Sequence, residues 1–471
     1  MPLPNTFTLL VLGQGSTGLD VVAWALEHTE RVLSVTVYGG GSSEPTEATR
    51  ALEERGVRFE YGTEKVEGAF DICVASPGIS EFSDFFAAGA AHASEIMGEP
   101  EFAWRLSSAS WCAITGTNGK TTTTTLVHHV LDVAGIPNAA VGNIGTPTID
   151  AVDTCRAGSW MVAELSSYQI ATTAELHPRV AMLLNITPDH LAWHRTHENY
   201  AKAKIKLFQN MDERDLAIVD VEDEGVMAYA DDIFTSGRRV LSLGLADAAG
   251  ADAAFVRDGM LVVRLAGEET ELVAARDLAL AGSHNITNVL AAAAASLFIG
   301  ATPAQVRSAV TSFMPLEHRV EPAGEIDGVR YYNDSKATNT DAVEKALTAF
   351  PDDDVILLLG GHDKGTPLED FAAFVCEHVR AVVCFGEARE RFRHAIEDAD
   401  RNQDVDIAEA DDMCDAVDVA RSLAARGDVV LLSPACSSFD EFSGFEERGC
   451  RFKEYVEELR LAGEADALDR A

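Results

Sequence analysis

The sequence predicts an α/β protein of three domains, each built on a largely parallel sheet, and three observations carry that reading. The chain is 471 residues long, whereas one core organises roughly 100–200 residues. Short apolar runs such as "FTLLVLG", "WCAIT", "DVILLLGG" and "DVVLLSPA" recur along it, each ending in glycine or a polar residue. Between them lie stretches of helical period, and strands alternating with helices are the pattern of βαβ units. The segments that these strands and motifs form place the domains at 1–98, 99–314 and 315–471.

Lys and Arg number 37 against 76 Asp and Glu, a formal charge of −39. Phosphate backbones are bound by clustered cations, so nucleic acid is excluded as a partner and the acidity reads as a solvated exterior. The eight cysteines form no CxxC pair and read as reduced core residues of a cytoplasmic protein. The N-terminus "MPLPNTFTLLVLG" has no basic leader, so no signal peptide is expected. Residues 278–306 lack Asp, Glu, Lys and Arg, but Gly282, His284, Asn285, Asn288 and Pro303 interrupt them. The apolar remainder is shorter than the roughly 20 residues a bilayer requires. A buried alanine-rich helix is expected there, and no membrane partner.

The first segment is Rossmann-like. Strand "FTLLVLG" runs into Gly13-Gln14-Gly15-Ser16-Thr17-Gly18 and a helix from Leu19 to about His28. A GxGxxG turn in that context aims backbone N–H groups and a helix N-terminus at a phosphate. The second strand ends in Gly39-Gly40-Gly41, with no acidic residue to hold a ribose, which argues against a dinucleotide and for another diphosphate. Ser76-Pro77-Gly78 follows the strand "DICVA" and either lines the same crevice or is a plain tight turn.

The second segment carries "TGTNGKTTTTT" behind "WCAI". The loop is GxxGKT, shorter than GxxxxGK[ST], but its physics survives. Gly116 and Gly119 admit phosphates to the backbone, with Thr117 and Asn118 between them. Lys120 supplies a cation, Thr121 a hydroxyl for Mg²⁺, and Thr122 a phosphate contact. Thr123–Thr125 are expected to pack or to bond back to the preceding turn. "SWMVAEL" puts Glu164 at a strand end, and "RVAMLLNIT" leads to Asp189-His190. Ligands gather outside the carboxyl ends of parallel strands, so Thr121, Glu164 and His190 are expected around one triphosphate. His190, His194 and His197 also suggest zinc, but no cysteine or carboxylate set completes such a site. In "NYAKAKIKLF" the helical arc of Tyr200, Ala203, Leu207 and Phe208 contains Lys204, while Lys202 and Lys206 fall opposite. Lys204 is then either a snorkelling side chain or a functional amine kept neutral by burial. Asn285 and Asn288 open the alanine-rich helix, as caps or as readers of a base edge. In the third segment, strands "VRYYND", "DVILLLGG", "AVVCFG" and "DVVLLSPA" predict a second doubly wound sheet with polar residues at its strand ends.

Taken together, "ITGTNGKTTT", "GNIGTP", "ELSSYQI", "NITPDHLAWH", "YAKAK", "HNITN", "HRVE", "NDSKATN", "GGHDKG" and "LLSPACSSFDEFSGFEERG" resemble the Mur ligases of peptidoglycan synthesis, in order and over nearly the whole chain. The resemblance implies an ATP-dependent amide ligase that phosphorylates a carboxylate and lets an amine displace the phosphate. Its last block and Rossmann-like start are most similar to members that act on UDP-N-acetylmuramoyl-L-alanine and D-glutamate. It further implies that Lys120 holds the ATP phosphates, that Thr121 and Glu164 share one Mg²⁺ and that His190 approaches a second. Lys204 would carry a CO₂-derived carbamate near the metal, and Asn143 would touch substrate. Asn285, Asn288, Arg319 and Asp334 would hold adenosine and phosphate. Lys364, Thr338, Ser438 and Phe445 would hold D-glutamate, and Ser16, Thr17 and Ser76 to Gly78 the UDP moiety. The family expectation is a monomer. The glycines at 39 to 41 and His362 depart from the family pattern, at the uracil contacts and beside Lys364. A sister ligase taking another amino acid, or a nucleotide switch, are the competing readings; Glu164, His190 and Lys204 argue against the switch.

Overall fold

The computed structural model describes residues 3–469 apart from 236, 279, 281, 315–316, 352, 364 and 401–404. Apolar runs buried on both faces make three sheets. The first has five parallel strands, β1 (Phe7–Leu12), β2 (Val32–Tyr38), β3 (Arg58–Glu60), β4 (Phe70–Ala75) and β5 (Ala93–Gly98), in the order β3-β2-β1-β4-β5. The order reverses between β1 and β4, which opens a crevice at their carboxyl ends. The helix after β1 spans Ser16–Glu27, three residues earlier than its apolar period suggested, because Gly15 serves directly as its N-cap.

The second sheet contains β6 (Ser110–Thr115), β7 (Asn138–Gly142), β8 (Trp160–Glu164), β9 (Val180–Leu183), β10 (Leu216–Asp220), β11 (Val240–Leu243), β12 (Ala253–Arg257), β13 (Met260–Leu265) and β14 (Glu268–Ala274). Its order is β14-β13-β12-β11-β10-β9-β6-β8-β7, parallel except that β13 runs antiparallel to both of its neighbours, β12 and β14. Central β6 pairs Ile114 with Glu164 on one side and Thr115 with Leu183 on the other. Three chemically loaded strand ends therefore emerge side by side.

The third sheet holds β15 (Glu321–Ile326), β16 (Val329–Asn333), β17 (Val355–Gly360), β18 (Ala381–Phe385), β19 (Asp406–Glu409) and β20 (Val429–Ala435), in the order β15-β16-β20-β17-β18-β19 with only β15 antiparallel. Met1–Leu278 with Thr287–Ser312, containing the first two sheets, forms one compact unit; Ala279–Ile286 with Phe313–Ala471 forms another.

The charge-poor stretch is a helix, Ser283–Ile299, buried from Asn288 to Ser296. Among the described residues no helix is long and apolar enough to cross a membrane. The cysteines depart from the core-only expectation: five are buried, Cys376 and Cys414 are half-buried, and Cys450 is exposed on the helix Phe445–Asp469, where no apolar run surrounds it.

Glu99 opens the helix Glu99–Leu106 after β5 and is 2% exposed. Its carboxylate accepts from Thr148 Oγ1 and Ile149 N. Burial pushes its pKa up to about 7, those two hydrogen bonds opposing and nearby Asp20 and Asp150 assisting. Between the ordinary value of 4.5 and about 7, the folded chain keeps a proton that the unfolded chain has lost. This contribution to stability is therefore complete below the unfolded value and is lost as pH rises through 7. Glu99→Gln is expected to make the fall in Tm between about pH 5 and 8 shallower than in the wild type; an unchanged slope in calorimetry would refute it.

Candidate active site

β6 ends in a loop that only glycine backbone can follow. Gly119 has φ +81°, and a Cβ there would stand 2.5 Å from Asn288 Oδ1. A Cβ on Gly116 would meet Asn118 O and Leu184 Cβ at 3.1 Å. The end of β9 clamps the loop. Thr117 N donates to Asn185 O at 3.0 Å, Asn118 N to Asn185 Oδ1 at 2.7 Å, and Asn185 Nδ2 to Asn118 O at 3.1 Å. Thr117 Oγ1 bonds Thr187 O at 3.2 Å and Tyr200 Oη at 2.9 Å. Lys120 opens the helix Lys120–Ala134, with Thr121 half-buried in its first turn and Thr122 buried beside it. Thr123 Oγ1 donates to Asn288 Oδ1 at 3.2 Å, and Thr125 Oγ1 bonds back to Thr121 O at 2.8 Å.

Lys120 Nζ folds onto its own loop, donating to Gly116 O at 2.9 Å and Thr117 O at 2.7 Å. The helix His197–Ile205 delivers Lys204, 2% exposed, whose Nζ donates to the same Gly116 O at 2.7 Å and lies 4.6 Å from the Tyr200 ring centroid. Burial holds the Lys204 pKa well below its ordinary value, Lys120 adding to the effect and Asp189 and Glu164 opposing it. Lys202 is exposed and pairs with Glu198. Lys206 departs from the wheel projection. The helix tightens to a 3-10 turn at Lys206–Phe208, so the ammonium turns inward and donates to Ala171 O at 2.6 Å.

Glu164 is 2% exposed: Oε1 accepts from Asn143 Nδ2 at 2.8 Å, and Oε2 is buried without a partner. Gly142 permits this approach, because a Cβ there would lie 2.3 Å from Glu164 O. His190, φ +54°, caps the one-turn helix Leu191–His194, its ring 4.8 Å from that of Tyr168. His194 is buried against Ser167 Oγ at 2.9 Å, and burial pulls its pKa down to about 4, so it is neutral. The three histidines of this stretch do not assemble into a metal site. Among the described residues, His177, Asp212 and Asp215 are spaced for one, but Arg179 and Arg214 already pair with those carboxylates.

In the first sheet, Gly13 to Thr17, Gly39 and Ser76 to Ile79 line a pocket of about 310 Å³. Gly15 caps the helix there without a side-chain bond, and Ser76 Oγ is buried unpartnered. The two glycine-containing turns thus share one crevice.

In the second compact unit, Asp334 is buried, accepting from Ser433 Oγ at 2.7 Å and Val320 N at 3.2 Å; burial raises its pKa to about 7 against the pull of Ser433 and Arg319. Arg448, 1% exposed, fastens two main-chain segments, donating from Nε to Ser335 Oγ (2.9 Å), from Nη2 to Ser335 O (2.9 Å) and Cys436 O (3.0 Å), and from Nη1 to Ser437 O (3.3 Å). Ser335 Oγ continues to Phe445 O at 2.8 Å. Around this knot lie half-buried Thr338 and buried Ser438, whose Oγ has no partner. Lys364 falls outside the described residues. Asn285 N bonds Gly282 O at 3.1 Å in the first turn of its helix.

Sequence reasoning missed Asn185 and Arg448. Both lie inside quoted stretches, "NITPDH" and "FEERG", but nothing in one sequence says that an amide will clamp a loop or that an arginine will be buried.

Residues 114–296 match the family described as Mur ligase middle domain, and 318–436 that described as Mur ligase, glutamate ligase domain. A protein of Geobacter metallireducens is 37% identical over 460 residues, covering 96% of this chain and 97% of the relative. One of Geobacillus kaustophilus is 38% identical over 427 residues, covering 89% and 90%. Both relatives bear the name UDP-N-acetylmuramoylalanine--D-glutamate ligase. Among solved structures, UDP-N-acetylmuramate-alanine ligase MurC of Thermotoga maritima superposes with a TM-score of 0.54 at 18% identity, covering 96% and 99% of the two chains. MurF of Acinetobacter baumannii gives 0.59 at 16%, covering 83% and 92%. The chain belongs to the Mur ligase family and has its three-domain α/β fold.

Asn185→Ala is expected to weaken ATP binding about tenfold with a stability loss of about 1–2 kcal/mol, because Asn118 loses partners for both its N–H and its C=O. Wild-type nucleotide affinity in calorimetry would show that the loop holds its shape without the clamp.

Proposed function

We propose that this chain is an ATP-dependent ligase that joins D-glutamate to UDP-N-acetylmuramoyl-L-alanine. The observation that carries the chemistry is a GxxGKT loop flanked by an unpaired buried carboxylate oxygen, Glu164 Oε2, and a buried amine, Lys204. The names of the full-length relatives support the choice of substrates.

A carboxylate is a poor electrophile, and phosphorylation gives it a leaving group. A carboxylate oxygen of the L-alanyl group attacks the γ-phosphorus while the bond to the departing ADP oxygen breaks. The free amine of D-glutamate then attacks the acyl carbon; the C–N bond forms, the C–O bond to phosphate breaks, and the nitrogen gives up a proton. Lys120 leaves its own loop carbonyls for the phosphates, and loop N–H groups orient them. Hard oxygen donors suit Mg²⁺. Glu164 Oε2 with the Thr121 hydroxyl would hold one ion, and His190 would approach a second. When bound, the metal neutralises charge on the transferring phosphoryl group. Lys204, whose pKa burial holds well below its ordinary value, would take up CO₂ as a carbamate, the new N–C bond forming as the nitrogen gives up a proton, and its oxygens would add to that donor set.

The first-sheet pocket receives the UDP moiety at the N-terminus of the helix Ser16–Glu27. Asn143 meets the acceptor, and Asn285, Asn288, Arg319 and Asp334 serve ATP. Thr338, Lys364, Ser438 and Phe445 serve D-glutamate. The corresponding domains are 1–98, 99–314 and 315–471 of a cytoplasmic monomer.

Phosphate release with ATP, Mg²⁺ and UDP-N-acetylmuramoyl-L-alanine is expected with D-glutamate but not with L-glutamate, L-alanine or diaminopimelate. Release with a different amino acid would make the chain a sister ligase. Lys120→Ala should lower turnover by at least about 100-fold, and an unaltered rate would sink the phosphate role of the loop. Lys204→Ala should lose activity that short carboxylates partly restore, together with a carbamate ¹³C resonance present in the wild type under ¹³CO₂. Full activity without that resonance in either protein would make Lys204 a packing residue.

A further inference from the structure

His190 and Arg195, at φ +54° and +68°, bracket the one-turn helix Leu191–His194. Non-glycine residues hold such conformations only where surrounding contacts fix them. On the inner side, His194 is tied to Ser167, and Asn199 Nδ2 donates to His194 O at 2.9 Å. On the outer side the anchors come from the first sheet. Arg195 Nη2 donates to Phe82 O at 2.7 Å, its guanidinium 5.0 Å from the Phe82 ring centroid, and Ser80 Oγ donates to Trp193 O at 3.2 Å.

Ser80 and Phe82 directly follow the turn that lines the 310 Å³ pocket. Ile79 N bonds Ser76 O at 3.0 Å, Phe82 N bonds Ser80 Oγ at 3.3 Å and Ser83 Oγ bonds Ser80 O at 2.7 Å, so Ser76 to Ser83 forms one hydrogen-bonded piece. A ligand seated against Ser76 and Gly78 therefore bears on the same stretch that carries the anchors of the His190 segment. Trp193 carries this inward, its ring 4.7 Å from that of Tyr168, which packs on His190.

We propose that Arg195, with Ser80, is a positioning residue that couples occupancy of the first-sheet pocket by a nucleoside-diphosphate ligand to the placement of His190 at the ATP site. The coupling rests on the reading of that pocket as the UDP site. It makes the ATP site most competent once the acceptor is bound, which limits wasteful hydrolysis.

The test is the affinity for an imido analogue of ATP with Mg²⁺, measured by calorimetry with and without saturating UDP-N-acetylmuramoyl-L-alanine and without D-glutamate. In the wild type the acceptor should tighten analogue binding about fivefold or more. In Arg195→Ala that ratio should fall to about one while each ligand alone binds within about twofold of wild type; Arg195→Lys should restore part of it. Ser80→Ala should lower the ratio too, and keeps the test available if Arg195→Ala does not fold. A ratio unchanged in the variants overturns the coupling. So does independent binding of the two ligands to the wild type, with the pocket assignment intact, whereas a wild type that does not bind the acceptor removes that assignment and the coupling with it.

Discussion

One main-chain carbonyl, that of Gly116, accepts from both Lys120 and Lys204. Two ammonium groups cannot share so buried a position without strong repulsion, and the water that would screen them is excluded. Burial is the larger cause that lowers the Lys204 pKa, and the neighbouring Lys120 adds to it. Lys120 is half-buried at the mouth of the loop, while Lys204 is buried against the Tyr200 ring, with its pKa held well below the ordinary value. One carbonyl thus gathers a half-buried and a buried lysine at the end of β6.

The sheet order makes that meeting unavoidable. Because β6 lies between β8 and β9, the loop after Thr115 has Glu164 on one side and Asn185 on the other. Asn185 fixes the loop through a reciprocal pair of bonds to Asn118, and Asn143 fixes one oxygen of Glu164 and leaves the other open. Hydrogen bonds fix the loop and one oxygen of Glu164, and among the described residues Oε2 has no partner. Preorganisation of this kind costs nothing further when charge develops.

The second compact unit uses a different solution. A guanidinium buried among carbonyls, Arg448, ties the ends of β16 and β20 to the start of the helix Phe445–Asp469. Burial lowers even this arginine's pKa to about 10, and the carbonyl oxygens repay its desolvation only because all sides are satisfied together.

The sequence by itself determined the strands whose apolar runs are long, the glycine turns, and the chemistry of the strand ends, since periodicity and φ requirements are local. It did not reveal β5 or β7, whose sequences "ASEIMG" and "NAAVG" lack a run of large apolar residues and become strands only because β4 and β8 offer them an edge. Helical phase placed Lys204 inside, but failed for Lys206 once the helix tightened to a 3-10 turn. The reading of every cysteine as core failed at Cys450 for the same reason: burial belongs to the packing, not to the residue type. Which amide clamps the loop, which oxygen of Glu164 is left unpaired and which arginine is enclosed were decided by tertiary structure alone, because each depends on groups brought together from strand ends far apart in sequence.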